Sequence, residues 1–256
     1  MGCGLYTAVC GDIMQERRME ILTNNLANVS TAGFKEDRPS FAAIYPEIRG
    51  TTVLSDQNAM KGFMFSQKMD IGYPAFSGVK TDFSNGAVKH TGGEMDVAIN
   101  GPGFFVVTTP EGEFYTRMGN FSLNDKNELV TQGGYPVKGN SKIITIKGTE
   151  ISFSKNGAIT MDGEEADSLK VVDFKDYAGL MKVGDNLFKN PAGKSNEQEA
   201  KGFEVKQNHL ELSNINIVKE MVKMIDVIRI CESYQKVIRS LDEIDAQATR
   251  EVGSVA

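Results

Sequence analysis

From Ile217 onward the chain carries an apolar seam whose spacing leaves little choice of structure. Ile217, Glu220, Met224, Val227, Cys231, Tyr234, Ile238, Leu241, Asp245 and Ala248 follow one another in alternating steps of three and four. A strand would need a period of two; this period is one stripe of an α-helix and matches the a/d seam of a coiled coil, interrupted here by two acids. A second apolar row, Val218, Met221, Val222, Ile225 and Ile228, lies beside the first half of the seam. A helix apolar on two flanks needs more than one neighbour. Its outer face is charged, with Glu232 and Lys236 placed as an i,i+4 pair. From Asn216 to Arg250 the helix would be about 50 Å long, too long to lie inside a compact small domain, so the pattern predicts a second long helix for it to pack on. Ser213 or Asn214 is the expected cap.

The N-terminal end offers that second helix. Leu5, Ala8, Asp12, Gln15, Met19, Leu22, Leu26 and Val29 also step by three and four, with Asp12 and Gln15 as polar members of the seam. Polar residues in a seam cost stability and can fix register. The helix is expected to stop near Thr31, with Gly33 in the left-handed conformation after it. Asn24, Asn25 and Asn28 precede that end. Either they mark a fraying terminus, or their amides hydrogen-bond neighbouring chains.

Between the helices the period changes. Residues 36–75 mix aromatics with Pro39, Pro46 and Pro74 and read as an irregular connection with some extended pieces. Residues 76–205 read as β. Short strand-like runs cover Val97–Asn100, Phe104–Thr109, Glu113–Arg117, Asn120–Leu123, Glu128–Thr131, Lys142–Ile146, Ile151–Ser154, Ala158–Met161 and Ser168–Phe174. Turn signals such as Gly101-Pro102-Gly103 and Lys155-Asn156-Gly157 separate them. The expected fold class is α+β, mainly β: long terminal helices paired as a coiled-coil-like stem, and a central antiparallel domain of barrel or sandwich type. Four segments follow: 1–35, 36–75, 76–205 and 206–256.

Composition and motifs exclude more chemistry than they suggest. Lys+Arg is 28 against Asp+Glu 34, a net charge of −6 with no basic block, which argues against nucleic acid as a partner. No apolar run reaches the roughly 18 residues that span a bilayer. The start shows no cleaved signal peptide, and Tyr6 stands where a myristoylation pattern wants Ser or Thr. The three cysteines, Cys3, Cys10 and Cys231, form no disulfide framework or metal-ligand spacing. His90 and His209, the only histidines, have no nucleophile in recognisable order beside them. The glycines of GPGFF at 101–105 lead into a strand, which removes the phosphate-binding geometry of a dinucleotide site. Asn124, Asp125 and Asn127 lack the glycine and closing Glu of a calcium loop. Glu164, Glu165 and Asp167 read as solvated acids rather than a sugar-cleaving pair. The expectation is no catalysis, no cofactor and no metal.

Several segments resemble one family. NNLANVSTAGFKED at 24–37 looks like the N-terminal signature of the bacterial flagellar rod and hook proteins. DVAINGPGFFVV at 96–107 and YTRMGNFSLNDKNELVTQGGYPVKG at 115–139 resemble its β-domain motifs. GDNLF at 184–188 and LELSNINIVKEMVKMI at 210–225 resemble its C-terminal signature. Together they run nearly the length of the chain in family order. GLYTA at 4–8, ESYQKVI at 232–238, DEI at 242–244 and EVG at 251–253 are most similar to the proximal-rod branch, with the distal rod second.

The resemblance implies a subunit of the axial tube that spans the periplasm, transmits torque and conducts exported subunits. It implies export by the flagellar type III apparatus without a cleaved signal. The implied partners are copies of the chain and other proximal- and distal-rod proteins. The assembly interface expected from the seams is Leu5, Met19, Leu22, Leu26 and Val29 with Asn24, Asn25 and Asn28 on the first helix. On the second it is Val218, Met221, Met224, Ile225, Val227, Ile228, Tyr234, Ile238 and Leu241. A head-to-tail contact that does not close generates a helical polymer. Two rival readings are an extracytoplasmic oligomeric binding module, with the helices as a stalk, and a cell-wall-cleaving enzyme, which needs an acid pair in a cleft.

Overall fold

A computed structural model describes residues 2–44, 73–148 and 150–254. Helix α1 is Gly2–Ala27 and helix α2 is Ile217–Ser254. Between them run β1 (Asp37–Ile44), β2 (Tyr73–Thr81), β3 (Val88–His90), β4 (Val97–Asn100), β5 (Phe104–Thr109) and β6 (Gly112–Thr116). There follow β7 (Ser122–Leu123), β8 (Leu129–Val130), β9 (Ile151–Phe153), β10 (Ala158–Met161), β11 (Glu164–Ser168) and β12 (Val171–Phe174). The last strands are β13 (Met181–Lys182), β14 (Leu187–Lys189), β15 (Glu197–Glu199), β16 (Glu204–Gln207) and β17 (His209–Glu211).

The chain divides into two units. One comprises residues 23–38 and 80–221, which include the last turn of α1 and the first turn of α2. Its largest sheet has the order β13-β14-β6-β5-β12-β15, with antiparallel neighbours throughout. β11-β10-β9 form a three-stranded antiparallel sheet, and β16-β4, β17-β3 and β7-β8 pair separately. β5 is the central strand, and its alternation sorts the core. Phe105 and Val107 face one cluster with Val97, Ile99, Leu129, Ile144 and Ile159. Phe104 and Val106 face the other, with Tyr115, Phe174, Leu180 and Phe188. A strand buried on both faces reads as a continuous apolar run, as Phe104–Val107 does. Each such side chain contributes about 1.5–3 kcal/mol on burial.

The other unit takes its described residues from 2–22, 39–44, 73–79 and 222–254. Here α1 and α2 touch: a Cβ at Gly11 would lie 2.5 Å from the Tyr234 ring. β1 pairs with β2, and Phe41 meets Phe76 edge to face at 6.1 Å.

Several expectations need correction. α1 ends at Ala27, short of Thr31. Asn28 donates its side-chain amide to Asn24 O at 2.9 Å and accepts from the Thr31 hydroxyl, and such local bonds compete with helix propagation. Gly33 is left-handed (φ 68°), but six residues beyond the helix. A Cβ there would lie 2.5 Å from the Arg117 carbonyl carbon, so close backbone approach is what requires glycine. The cap of α2 is Asn216, whose Oδ1 accepts from the Lys219 amide at 3.1 Å. Asn214 instead accepts from the Glu36 amide and donates to Asp82 O, and the Ser213 hydroxyl accepts from the Ile215 amide. Within 36–75 the described ends are strands β1 and β2, and residues 45–72 lie outside the described residues. Lys142–Ile146 forms only isolated bridges at Ile143 and Thr145. Asn120–Leu123 shrinks to β7. β3 and β13–β17 carried no recognised signal, being short and rich in charge; edge strand Glu197–Glu199 is the clearest case.

Candidate assembly faces and the buried ionic knot at their roots

Eight of the ten seam positions of α2 are buried or half-buried. Val227 and Glu220 are buried, and Met224, Cys231, Tyr234, Ile238, Leu241 and Ala248 are half-buried. Ile217 and Asp245 are exposed despite their place in the seam. The second row is open: Val218 is 70% exposed, and Met221, Val222, Ile225 and Ile228 are 43–53% exposed. These five form one contiguous apolar stripe on a helix, where scattered exposed hydrophobics would need no explanation.

On α1, Ala8, Gly11, Leu22 and Asn25 are buried, and Asp12, Gln15, Met19 and Leu26 are half-buried, as is Val29 just beyond the helix. Leu5 lies on α1, its side chain outside the described ones. Asp12 sits beside Cys231; burial, and then the charge of Asp12, push that thiol's pKa up. The three asparagines differ. Asn24 is exposed. Asn25 is buried and makes a two-way clasp with Asp37, donating to its carbonyl at 2.8 Å and accepting from its amide at 3.0 Å. Asn28 closes the helix end.

The structure also assembles a feature the seams did not reveal. Lys35, Arg117 and Glu211 are each at most 3% exposed. Lys35 Nζ lies 2.7 Å from Glu211 Oε1, and Arg117 Nη1 lies 3.2 Å from Glu211 Oε2. Glu211 Oε1 also accepts from the Gly86 amide at 2.9 Å. Lys35 donates to Ser84 O, and Arg117 donates to Ile99 O and Gly101 O while its guanidinium lies over the Phe104 ring. Within the knot, Arg117 Nε is the one buried side-chain nitrogen or oxygen without a hydrogen-bond partner among the described residues. Burial pulls both the Lys35 and the Arg117 pKa below their ordinary values, against the opposing pull of Glu211.

This knot joins the segment leaving α1, the end of β6 and the strand that leads to α2. A second layer surrounds it. Asp37 binds Lys182 Nζ at 2.9 Å and the Thr81 hydroxyl at 2.7 Å, and Arg38 bridges Glu36 and Asp82. For Asp82, burial alone would raise the pKa. The Ser84 hydrogen bonds and the Arg38 charge outweigh it, and the net shift is downward. Buried ion pairs add little net stability, but they tolerate few alternative geometries. The arrangement therefore ties Lys35, on the segment after α1, to Glu211, on the strand before α2, at one point inside the β unit. The only sequence signal was that each charge stands in a motif of one family: Lys35 in GFKED, Arg117 in YTRMGN and Glu211 in LELSN.

The remaining candidates resolve simply. Gly101 and Gly103 take positive φ in a turn. Asn124 Oδ1 caps its own turn, accepting from the Lys126 and Glu128 amides. Glu164 and Glu165 are exposed on β11. Among the described residues, no group of three or more His, Cys, Asp or Glu could hold a metal, and no helix is long and apolar enough to cross a membrane. His90 and His209 are brought together as cross-strand partners.

Three family models match, in chain order. Residues 5–35 match "Flagella basal body rod protein", 98–161 match "Flagellar hook protein FlgE/F/G D1 domain", and 206–251 match "Flagellar basal body rod FlgEFG protein C-terminal". Each matched segment supplies one charge of the knot. The chain is similar to the basal-body rod protein FlgF of Caulobacter vibrioides, 29% identical over the whole of both chains. It is 32% identical to FlgG of Buchnera aphidicola subsp. Schizaphis graminum, over 94% of this chain and 96% of that one. With FlgG of Bacillus subtilis the identity is 31%, over 94% and 95% of the two chains. These matches define the class: a structural protein of the bacterial flagellum, not an enzyme. The chain belongs to the flagellar basal-body rod protein family.

Proposed function

We propose that the chain is a proximal-rod axial subunit of FlgF type. Its terminal helices run as a coiled-coil-like stem, and copies assemble through them into a helical tube that carries torque and conducts exported subunits. The observation that carries the assembly reading is the open stripe of Val218, Met221, Val222, Ile225 and Ile228, which keeps apolar surface in water until a neighbour covers it. The interface residues are those expected from the sequence on both helices, second row included, with Asn24 as the asparagine whose side chain is exposed for a neighbouring subunit. Segments 1–35 and 206–256 form the rod core, 36–75 the connection and 76–205 the outer β domain. The chain reaches the rod through the flagellar type III export apparatus, and it engages other proximal- and distal-rod proteins.

The FlgF placement is supported by an alignment that runs the whole of both chains, where the FlgG alignments quoted cover 94% of this one. A distal-rod reading is favoured by the higher identities, 31–33%, of the FlgG relatives. A label inserted at the exposed Asp162-Gly163 turn and imaged in isolated basal bodies separates the two. Label confined to the membrane-proximal end of the rod is the expected result. Label along the outer length would make the chain a distal-rod subunit.

A further inference from the structure

We propose that His90 and His209 form a two-histidine site for a borderline divalent transition ion such as Cu2+ or Zn2+. The two face each other directly across β3 and β17. The Thr91 amide donates to Asn208 O at 2.8 Å and the Leu212 amide to Ala87 O at 2.8 Å. These bonds flank the pair on either side, so 90 and 209 are a non-hydrogen-bonded pair, the antiparallel position where side chains stand closest. Their ring centroids are 4.9 Å apart. Two imidazoles on one tetrahedral ion, with metal–nitrogen bonds of about 2.0–2.1 Å, hold their centroids roughly 5 Å apart, so the strands set the needed spacing; the ring planes stand at 89° in a T-shaped contact, and side-chain rotation brings both Nε2 atoms onto one ion.

The His209 ring is also oriented for the task. Its Nδ1 lies 2.6 Å from Gln207 O. A carbonyl can only accept, so Nδ1 carries the hydrogen and Nε2 of the neutral ring keeps its lone pair. Metal-binding histidines are commonly held this way, by a carbonyl on the other nitrogen. His90 is exposed and His209 half-buried, so an ion can reach both. No third His, Cys, Asp or Glu joins them among the described residues, so water fills the remaining positions. Imidazole ligands favour copper, nickel and zinc over magnesium and calcium, which want oxygen.

The test titrates tag-free full-length protein with CuCl2 and ZnCl2 by calorimetry and records the Cu2+ electron paramagnetic resonance spectrum. His90→Gln and His209→Gln are compared with the parent, and urea unfolding confirms that each variant is folded. The expected result is one equivalent bound, two-nitrogen hyperfine structure, no competition from excess Mg2+, and a loss of about tenfold or more in affinity in either variant. Equal binding by the parent and both variants would overturn the proposal by placing the ion at thiols or carboxylates. Absence of binding by the parent, or displacement of the ion by Mg2+, would also overturn it.

Discussion

Removing the Glu211 carboxylate strands two buried cations, because Lys35 and Arg117 share it as their counter-charge. Glu211→Ala should cost about 3–5 kcal/mol, read as a drop in the urea midpoint of the full chain. Replacing all three together by Met or Leu should cost less than that single change, since no charge is then left buried. A second prediction concerns Tyr177. Its hydroxyl donates to Asp173 Oδ1 at 2.5 Å. Burial, then that bond, push its pKa up to about 12 from 10.0. The folded chain therefore holds this proton where the unfolded chain has lost it. The contribution is fully present below pH 10 and is lost as pH rises through 12. Tyr177→Phe should accordingly flatten the fall in urea midpoint between pH 9.5 and 11.5; an unchanged slope would show that the tyrosine is not coupled to folding. Neither feature could be read from sequence. Lys35 and Glu211 are 176 residues apart, and a lone charge beside a turn looks like surface until the chain is closed around it.

At the scale of elements, the helices were legible and their ends were not. The three-and-four seam of α2 reappears as its least exposed stripe because burial and sequence share one period. The ends depend on single hydrogen bonds among several polar candidates: Ser213, Asn214 and Asn216 all lie within reach, and only Asn216 caps. Asn216→Ala should cost about 1 kcal/mol and speed hydrogen exchange at the Lys219 amide, while Ser213→Ala should leave that amide protected. Strands that read as short apolar runs bounded by turn signals, such as β4, β5 and β10, stood at their expected bounds. Edge strands rich in charge were missed, because what makes them strands is the partner and not their own composition. Gly33→Ala tests the close approach of backbones. With φ 68° and Arg117 backbone 2.5 Å from any Cβ, it should destabilise by about 1–3 kcal/mol, visible as a lower thermal midpoint.

For the whole molecule, the issue is why a chain keeps five neighbouring apolar side chains in water along one helix. A folded subunit gains nothing from them; a polymer does, since a face that is self-unsatisfied in one copy is covered in the next. The second apolar row was visible in the sequence because it exceeded what one partner helix can cover. The cross-strand histidines were not, since β3 and β17 carry no strand signal of their own. The most direct test combines Val218→Asp with Ile225→Asp in the host and in purified protein. The two side chains are exposed in the single chain, so the free energy of urea unfolding should stay within about 0.5 kcal/mol of the parent. Electron microscopy of isolated basal bodies should then show rods missing or cut short. Full-length rods built from the double variant would contradict assembly through this face.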